Sequence, residues 1–270
     1  SLPTIAFIGG GNMASAIIGG LIHQGHPASQ IEVVEPWAEA REALRKNYGI
    51  EAQAEAGPAL QRAQIVVWAV KPQTFRDAAA QAKAHTQGAL HLSVAAGIRS
   101  DSIAQWLGTE RIVRTMPNTP ALVGKGMSAL YARPAVSAPE RQSIEAIMAT
   151  TGEFLWVDSE PQLDAVTALS GSGPAYVFYF LEAMTRAGTG MGLTEQQAHQ
   201  LAVGTFVGAS ELARRSDDPP SVLRQRVTSK GGTTYAALQS MEAAGVAASF
   251  EAAMRAAQHR AHELGDEFGA

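Results

Sequence analysis

A glycine-rich turn near the start of the chain constrains the fold more than any other feature. Gly9-x-Gly11-x-x-Ala14 follows a short apolar stretch and opens a segment with helical spacing. In such a turn the first glycine permits the tight bend, the second lets the backbone approach a pyrophosphate, and the small third residue lets the helix pack against the strand. The turn therefore predicts a strand–turn–helix unit that binds a dinucleotide, with Asn12 and Met13 beside the phosphates at the helix N-terminus.

The rest of the first half repeats this alternation of short apolar strands and polar helical segments, which is typical of a parallel, doubly wound sheet. Beyond residue 159 the pattern is helical and rich in alanine and leucine. We therefore predict an α/β fold with a Rossmann-type domain over residues 1–159 and an all-helical domain over 160–270. Strands are expected at 4–8, 31–35, 65–70, 89–94 and 112–116, with 127–132 and 154–157 extending the far edge of the sheet.

Composition excludes several classes of function. The formal net charge is −4, with no basic run to attract nucleic acid. There is no cysteine, which removes thiolate metal sites and cysteine nucleophiles, and the seven histidines have no spacing typical of a metal site. No apolar run reaches the length of a membrane helix, and the first predicted strand leaves no room for a signal peptide. We expect a cytoplasmic protein that binds no metal, membrane or nucleic acid.

Side chains at the ends of the predicted strands complete a candidate cofactor site. Glu35 ends the second strand, where a carboxylate can accept hydrogen bonds from ribose hydroxyls and would repel a 2′-phosphate. This favours NADH, although Glu35 could instead be a solvated carboxylate. The later strands end in small residues, proline or an amide. Such residues can form a surface for the nicotinamide, but they are also common in ordinary turns. These residues are Ala69, Val70, Lys71, Pro72, Ala96 and Asn118.

A second glycine-rich stretch lies far along the chain. Gly231 and Gly232 are followed by Thr233 and Thr234 at the start of a helical pattern, and Ser229 precedes them. Backbone N–H groups and hydroxyls in such a loop can bind an anion such as a carboxylate. A plain helix N-cap is the alternative. Another small-residue stretch, at 168–176, is interpreted either as a ligand-approach loop or as a helix-packing joint.

Taken together, these motifs resemble the pyrroline-5-carboxylate reductase family. The matching segments span nearly the whole chain in the family's order: FIGGGNM at 7–13, AVKPQ at 69–73, SVAAGI at 93–98, RTMPNTP at 114–120, DAVTALSGSGPAYVF at 164–178 and VTSKGGTT at 227–234. The last three are far more specific than the dinucleotide motif alone.

The resemblance implies that 1-pyrroline-5-carboxylate is reduced to L-proline, the last step of proline biosynthesis, with NADP or NAD as the cofactor. It implies a helical dimerisation domain that forms a homodimer, and further assembly of the dimers, for example into a decamer of dimers. It also implies that Ser229, Gly231, Gly232 and Thr233 hold the substrate carboxylate, and that Thr234 is catalytic, near the ring nitrogen. Lys230 stands where many members have proline.

Two other functions stay open on the residues alone. A β-hydroxyacid dehydrogenase shares the two-domain plan, but such enzymes usually carry a lysine in a glycine-rich helix start, which the 170–174 loop lacks. A nicotinamide-binding sensor without turnover is the other alternative, and it would have no need of the predicted carboxylate loop.

Overall fold

The computed structural model describes residues 2–269 and alternates strands with helices as far as Trp156. The elements of this part are β1 (Ile5–Ile8), α1 (Asn12–His23), β2 (Ile31–Val34), α2 (Ala38–Tyr48), β3 (Ile65–Trp68), α3 (Pro72–Ala82), β4 (Leu90–Ser93), α4 (Ser100–Leu107), β5 (Ile112–Met116), β6 (Gly126–Ala132), α5 (Ala138–Met148) and β7 (Gly152–Trp156). Helices follow: α6 (Gln162–Val166), α7 (Gly173–Gly190), α8 (Glu195–Arg215), α9 (Pro220–Arg226), α10 (Thr233–Ala243) and α11 (Val246–Phe268).

The strands form one seven-stranded sheet in the order β2-β1-β3-β4-β5-β6-β7. The predicted doubly wound sheet is confirmed, and both extensions at its far edge are present. The sheet is not fully parallel, since β6 runs antiparallel to β5. Only residues 117–125 connect these two strands, whereas a parallel crossover needs a dozen residues or more.

Alternation along the strands divides the buried side chains between two faces. Phe7 packs with apolar residues of α1, α2 and α5 on one face, whereas Ile8 packs with residues of α3 and α4 on the other. Trp68 of β3 is fully buried on the second face and stacks on Phe75 at 5.1 Å between ring centroids. Helices therefore cover both faces, which explains why most strand residues are apolar.

The chain divides into two compact units. The first holds the sheet and runs to Gly173, together with the segment from Ala256 onward; the second is Pro174–Arg255. The end of α11 belongs with the sheet because its residues pack closely against the loop after β4. A Cβ on Gly97 would lie 2.6 Å from Cβ of Leu264, and one on Gly265 would lie 2.8 Å from the Gly97 carbonyl oxygen. The predicted boundary at 159/160 marks where the strands end and stays a prediction.

The helical pattern predicted beyond residue 159 is interrupted at Thr167–Gly171, which forms a π-helical turn between α6 and α7. Pro219 and Pro220 lie at the start of the short helix α9. Within the second unit, Tyr176 and Phe180 pack their rings against Phe250. None of the helices that the structure describes is both long and apolar enough to cross a membrane.

Candidate active site

The order of the strands fixes where a ligand crevice opens. The chain leaves β1 toward β2 on one side and continues to β3 on the other, so the sheet reverses its order between β1 and β3. In an open α/β sheet, ligands bind beyond the carboxyl ends of the strands at such a switch point. Gly9 and Ala69 lie there side by side: the Gly9 N–H donates to the Val34 carbonyl at 2.8 Å, and the Ala69 N–H donates to the Ile8 carbonyl at 2.8 Å.

The backbone at Gly9 explains why glycine is needed first in the turn. Its φ is +99°, a conformation that residues with a Cβ rarely adopt. A Cβ at this position would also overlap the backbone carbonyl oxygen of Ala69, which cannot move without breaking the sheet. Gly9 is therefore required by the protein itself, before any ligand is considered.

Gly11 has a different role, because its surroundings are open. It caps the N-terminus of α1 with a φ of −80°, and a Cβ there would meet no atom within 4 Å. No side chain caps this helix, and its first turn has no acidic residue, so the N–H groups of Asn12 and Met13 face no competing acceptor from a capping side chain. An exposed glycine followed by uncapped helical N–H groups fits the pyrophosphate of a dinucleotide.

Glu35 lies beside this turn and is held by two backbone donors. One carboxylate oxygen accepts from the Gly10 N–H at 3.1 Å, and the other accepts from the Trp37 N–H at 3.0 Å. The side chain is half-buried, so it is not the freely solvated carboxylate of the alternative interpretation. Each oxygen keeps a lone pair, so the carboxylate can still accept a ribose hydroxyl.

The ends of β3 and β4 bring more of the predicted residues to the same edge. Val70 and Lys71 follow β3, and Pro72 is the first residue of α3, which suits its missing N–H. Ala96 lies in the loop after β4, where the close contact of Gly97 with α11 fixes the backbone. Lys71 is exposed, whereas Val70 and Ala96 are half-buried.

Asn118 makes two bonds that join three parts of the chain. Its amide nitrogen donates to the Ser170 carbonyl at 3.0 Å, and its amide oxygen accepts from the Met127 N–H at 2.9 Å. Ser170 belongs to the π-helical turn, and a Cβ on Gly171 would lie 2.9 Å from the Met116 methyl carbon. Such turns occur often at functional sites. Asn118 thus fixes the 168–176 stretch, which the sequence alone leaves open to interpretation as a ligand-approach loop or as a helix-packing joint.

A buried charge network was missed in the sequence. Arg114, in the middle of β5, donates to a Glu160 carboxylate oxygen at 2.8 Å, and the same oxygen accepts the Ser100 N–H at 2.6 Å at the start of α4. Burial raises the pKa of the neighbouring Asp164, while the positive charge of Arg114 opposes the shift. An arginine within an otherwise apolar strand was the available signal, because a buried cation requires a partner.

The predicted substrate residues lie together in one loop of the second unit. Gly231 has a φ of +76°, and the Gly232 N–H donates to the Ser229 carbonyl at 3.0 Å, which closes the turn. Gly232 then caps α10 without a side-chain hydrogen bond, so the N–H groups of Thr233 and Thr234 are uncapped. An anion-binding helix start was predicted here, and this local geometry has the form required for one.

The structure therefore places the predicted residues in two groups. The cofactor group lies at the carboxyl edge of the sheet in the first unit, and the substrate group lies in one loop of the second unit. Among residues 2–269, no cluster of three or more histidine, aspartate or glutamate side chains could hold a metal ion.

Two family models match this chain. One, described as pyrroline-5-carboxylate reductase dimerisation, covers residues 160–264, and the other, described as NADP oxidoreductase coenzyme F420-dependent, covers residues 4–97. The helical part of the chain thus carries a dimerisation domain of a known type. The strand-rich part carries a nicotinamide-dinucleotide domain, as its glycine turn predicts.

Relatives named as pyrroline-5-carboxylate reductases match over nearly the full length of this chain. The pyrroline-5-carboxylate reductase of Pseudomonas aeruginosa is 45% identical over 100% of this chain and 99% of its own. That of Haemophilus influenzae is 41% identical over 96% of this chain and 97% of its own. The solved structure of a pyrroline-5-carboxylate reductase from Coxiella burnetii is 36% identical, covers 98% of this chain and 99% of its own, and superposes with a TM-score of 0.89.

Two less similar solved structures are a further reductase and a protein that shares the fold alone. The Plasmodium falciparum pyrroline carboxylate reductase with NADP bound is 27% identical, covers 97% of this chain and 98% of its own, and has a TM-score of 0.89. Prephenate dehydrogenase from Aquifex aeolicus, at 11% identity and a TM-score of 0.55, shares the fold alone. Identity over the full length and the matching dimerisation domain agree: this chain belongs to the pyrroline-5-carboxylate reductase family.

Proposed function

We infer that this protein reduces 1-pyrroline-5-carboxylate to L-proline with NADH or NADPH, the last step of proline biosynthesis. The observation that carries this conclusion is the 45% identity, over the full length, with a reductase of that name. Family membership also favours this activity over a hydroxyacid dehydrogenase or a sensor without turnover. The two domains proposed for the two roles are residues 1–159 for the dinucleotide and 160–270 for substrate and dimerisation.

The proposed cofactor contacts follow from the crevice at the switch point. The bound dinucleotide supplies a hydride. Gly11, Asn12 and Met13 hold its pyrophosphate through backbone N–H groups, which the open space at Gly11 permits. Glu35 accepts from the ribose hydroxyls, and Gly9 keeps the turn in shape. The nicotinamide end lies along a set of strand-end residues: Ala69, Val70, Lys71, Pro72, Ala96 and Asn118.

The substrate is an imine that carries a carboxylate, and the loop in the second unit suits both groups. The backbone N–H groups of Gly231 and Thr233, with the Ser229 hydroxyl, are the proposed donors to the carboxylate, and Gly232 closes the turn that holds them together. Thr234 is the proposed catalytic residue, placed to orient the ring nitrogen and to hold a proton there. An imine protonated on nitrogen already accepts a hydride well, so alignment of the reactants supplies most of the rate, up to about 7–11 kcal/mol.

The assignment of Thr234 is tested by steady-state kinetics with 1-pyrroline-5-carboxylate. We expect Thr234→Ala to lower kcat about 10²-fold or more while the Kd for the dinucleotide stays within about twofold. Thr234→Ser keeps the hydroxyl and should recover most of kcat. An unchanged kcat in Thr234→Ala would remove this residue from the mechanism, and no oxidation of either dinucleotide by the wild-type protein would refute the activity itself.

Assembly and location complete the proposal. The dimerisation domain supports a homodimer, which can build further into a decamer of dimers. We place the protein in the cytoplasm, acting on a small molecule without nucleic acid or membrane. Light scattering after gel filtration tests the assembly: a mass of one chain at micromolar concentration would contradict the homodimer.

A further inference from the structure

The guanidinium of Arg41 lies at the end of β2, although Arg41 comes six positions after Glu35 in the chain. Its Nη1 atom donates to the Glu35 carbonyl at 2.9 Å and to the Pro36 carbonyl at 2.6 Å. In the structure, helix α2 turns back and places this cation where the second strand ends, which is the ribose end of a dinucleotide site.

Glu35 does not neutralise this cation directly. Both of its carboxylate oxygens bind backbone N–H groups, of Gly10 and Trp37, so the side chain is turned into the glycine loop. Within residues 2–269 Arg41 has no carboxylate partner, and its Nε and Nη2 donors bind no protein acceptor. A carboxylate and a guanidinium, each fixed by hydrogen bonds to the backbone, therefore lie at the end of β2 without pairing with each other.

The two groups suit different cofactors. A carboxylate accepts from the 2′- and 3′-hydroxyls of an unphosphorylated ribose and repels a 2′-phosphate. A guanidinium presents parallel donors that match phosphate oxygens, and its charge persists at any physiological pH. With only Glu35 present, NADPH would be rejected; with Arg41 beside it, the repulsion is offset.

We propose that Arg41 binds the 2′-phosphate of NADPH and so offsets the repulsion from Glu35, which accepts from the ribose hydroxyls of NADH. The proposal rests on the proposed function for the identity of the cofactor, but it concerns a residue that the family motifs do not include. Arg41 is held in place by backbone carbonyls before any ligand arrives, so binding requires little ordering of its side chain.

Calorimetry with two small nucleotides isolates the phosphate from the rest of the cofactor. Adenosine 2′,5′-bisphosphate and adenosine 5′-monophosphate differ only by the 2′-phosphate. Arg41→Ala should weaken binding of the bisphosphate about tenfold or more, as expected for a lost charged hydrogen bond, and leave the monophosphate within about twofold. Arg41→Lys should retain part of the difference. Arg45→Ala is the matched control, one turn further along α2 and exposed, paired with Glu42.

A second variant and a kinetic ratio complete the test. Glu35→Gln should strengthen the bisphosphate relative to the monophosphate, because it removes the repelling charge. In turnover, Arg41→Ala should lower kcat/KM for NADPH about tenfold and leave that for NADH within about twofold. Equal weakening of both nucleotides, or no change in either, would overturn the role of Arg41. Absence of turnover with normal nucleotide binding would instead refute the proposed reductase activity and leave this inference standing.

Discussion

Acidification from pH 7 to pH 5 is expected to destabilise this protein through one buried histidine, His91. The ring lies on β4 with its Nδ1 atom accepting from the indole N–H of Trp68 at 2.9 Å. Burial and, to a smaller extent, the positive charge of Arg111 lower the pKa of His91 from its usual 6.5 to about 4, and a hydrogen bond with the Thr86 backbone opposes this shift. Protonation would also place a donor at Nδ1 opposite the indole donor, so the neutral ring is required by the packing.

The direction of the effect follows from the two pKa values. In the unfolded chain His91 takes up a proton as the pH falls through 6.5, whereas in the folded protein it stays neutral until about 4. The unfolded state therefore binds more protons between these values, and the free energy of unfolding falls with the pH. The loss attributable to His91 reaches about 2 kcal/mol at pH 5 and about 3 kcal/mol once the folded ring is protonated.

Urea unfolding at pH 7 and pH 5 measures this contribution. Carboxylates also lose stability in acid, so the test compares wild type with His91→Asn, whose amide oxygen can still accept from Trp68. We expect the decrease in unfolding free energy between the two pH values to be about 2 kcal/mol smaller in the variant. His23→Asn, at an exposed position, controls for the loss of an imidazole as such. The same decrease in wild type and His91→Asn would refute the reasoning.

Two further predictions concern the glycine turn and the buried charge network. Gly9→Ala should lower the free energy of unfolding by about 1–3 kcal/mol from backbone strain alone, whereas Gly11→Ala should leave urea unfolding unchanged and weaken dinucleotide binding in a fluorescence titration; equal effects of the two on stability would contradict their separate roles. Glu160→Ala leaves Arg114 buried without its carboxylate and should cost about 3 kcal/mol or more in urea unfolding, while Glu42→Ala, in an exposed pair, should change little. A loss at Glu160 no greater than at Glu42 would show that the network adds no stability.

The fold class and the cofactor turn were predictable because their signals are local. Gly9 must bend the chain within a few residues, and its positive φ and the open backbone at Gly11 are properties of that short stretch. The direction of β6 was not predicted, although the short link of residues 117–125 before it offered a signal. The π-helical turn at Thr167–Gly171 has no sequence signal that separates it from a continuous helix.

The amino-acid sequence alone predicts where a dinucleotide turn and an anion loop lie along the chain, and its motifs indicate the family. Which side chains bind one another depends on the tertiary structure. Asn118 binds Ser170 across 52 positions, Arg114 binds Glu160 across 46, and the Arg41 cation reaches the end of β2 through the turn of a helix. A periodic pattern reports which residues are buried, but a hydrogen bond depends on distance and direction between atoms, which exist only after the strands have paired and the helices have packed.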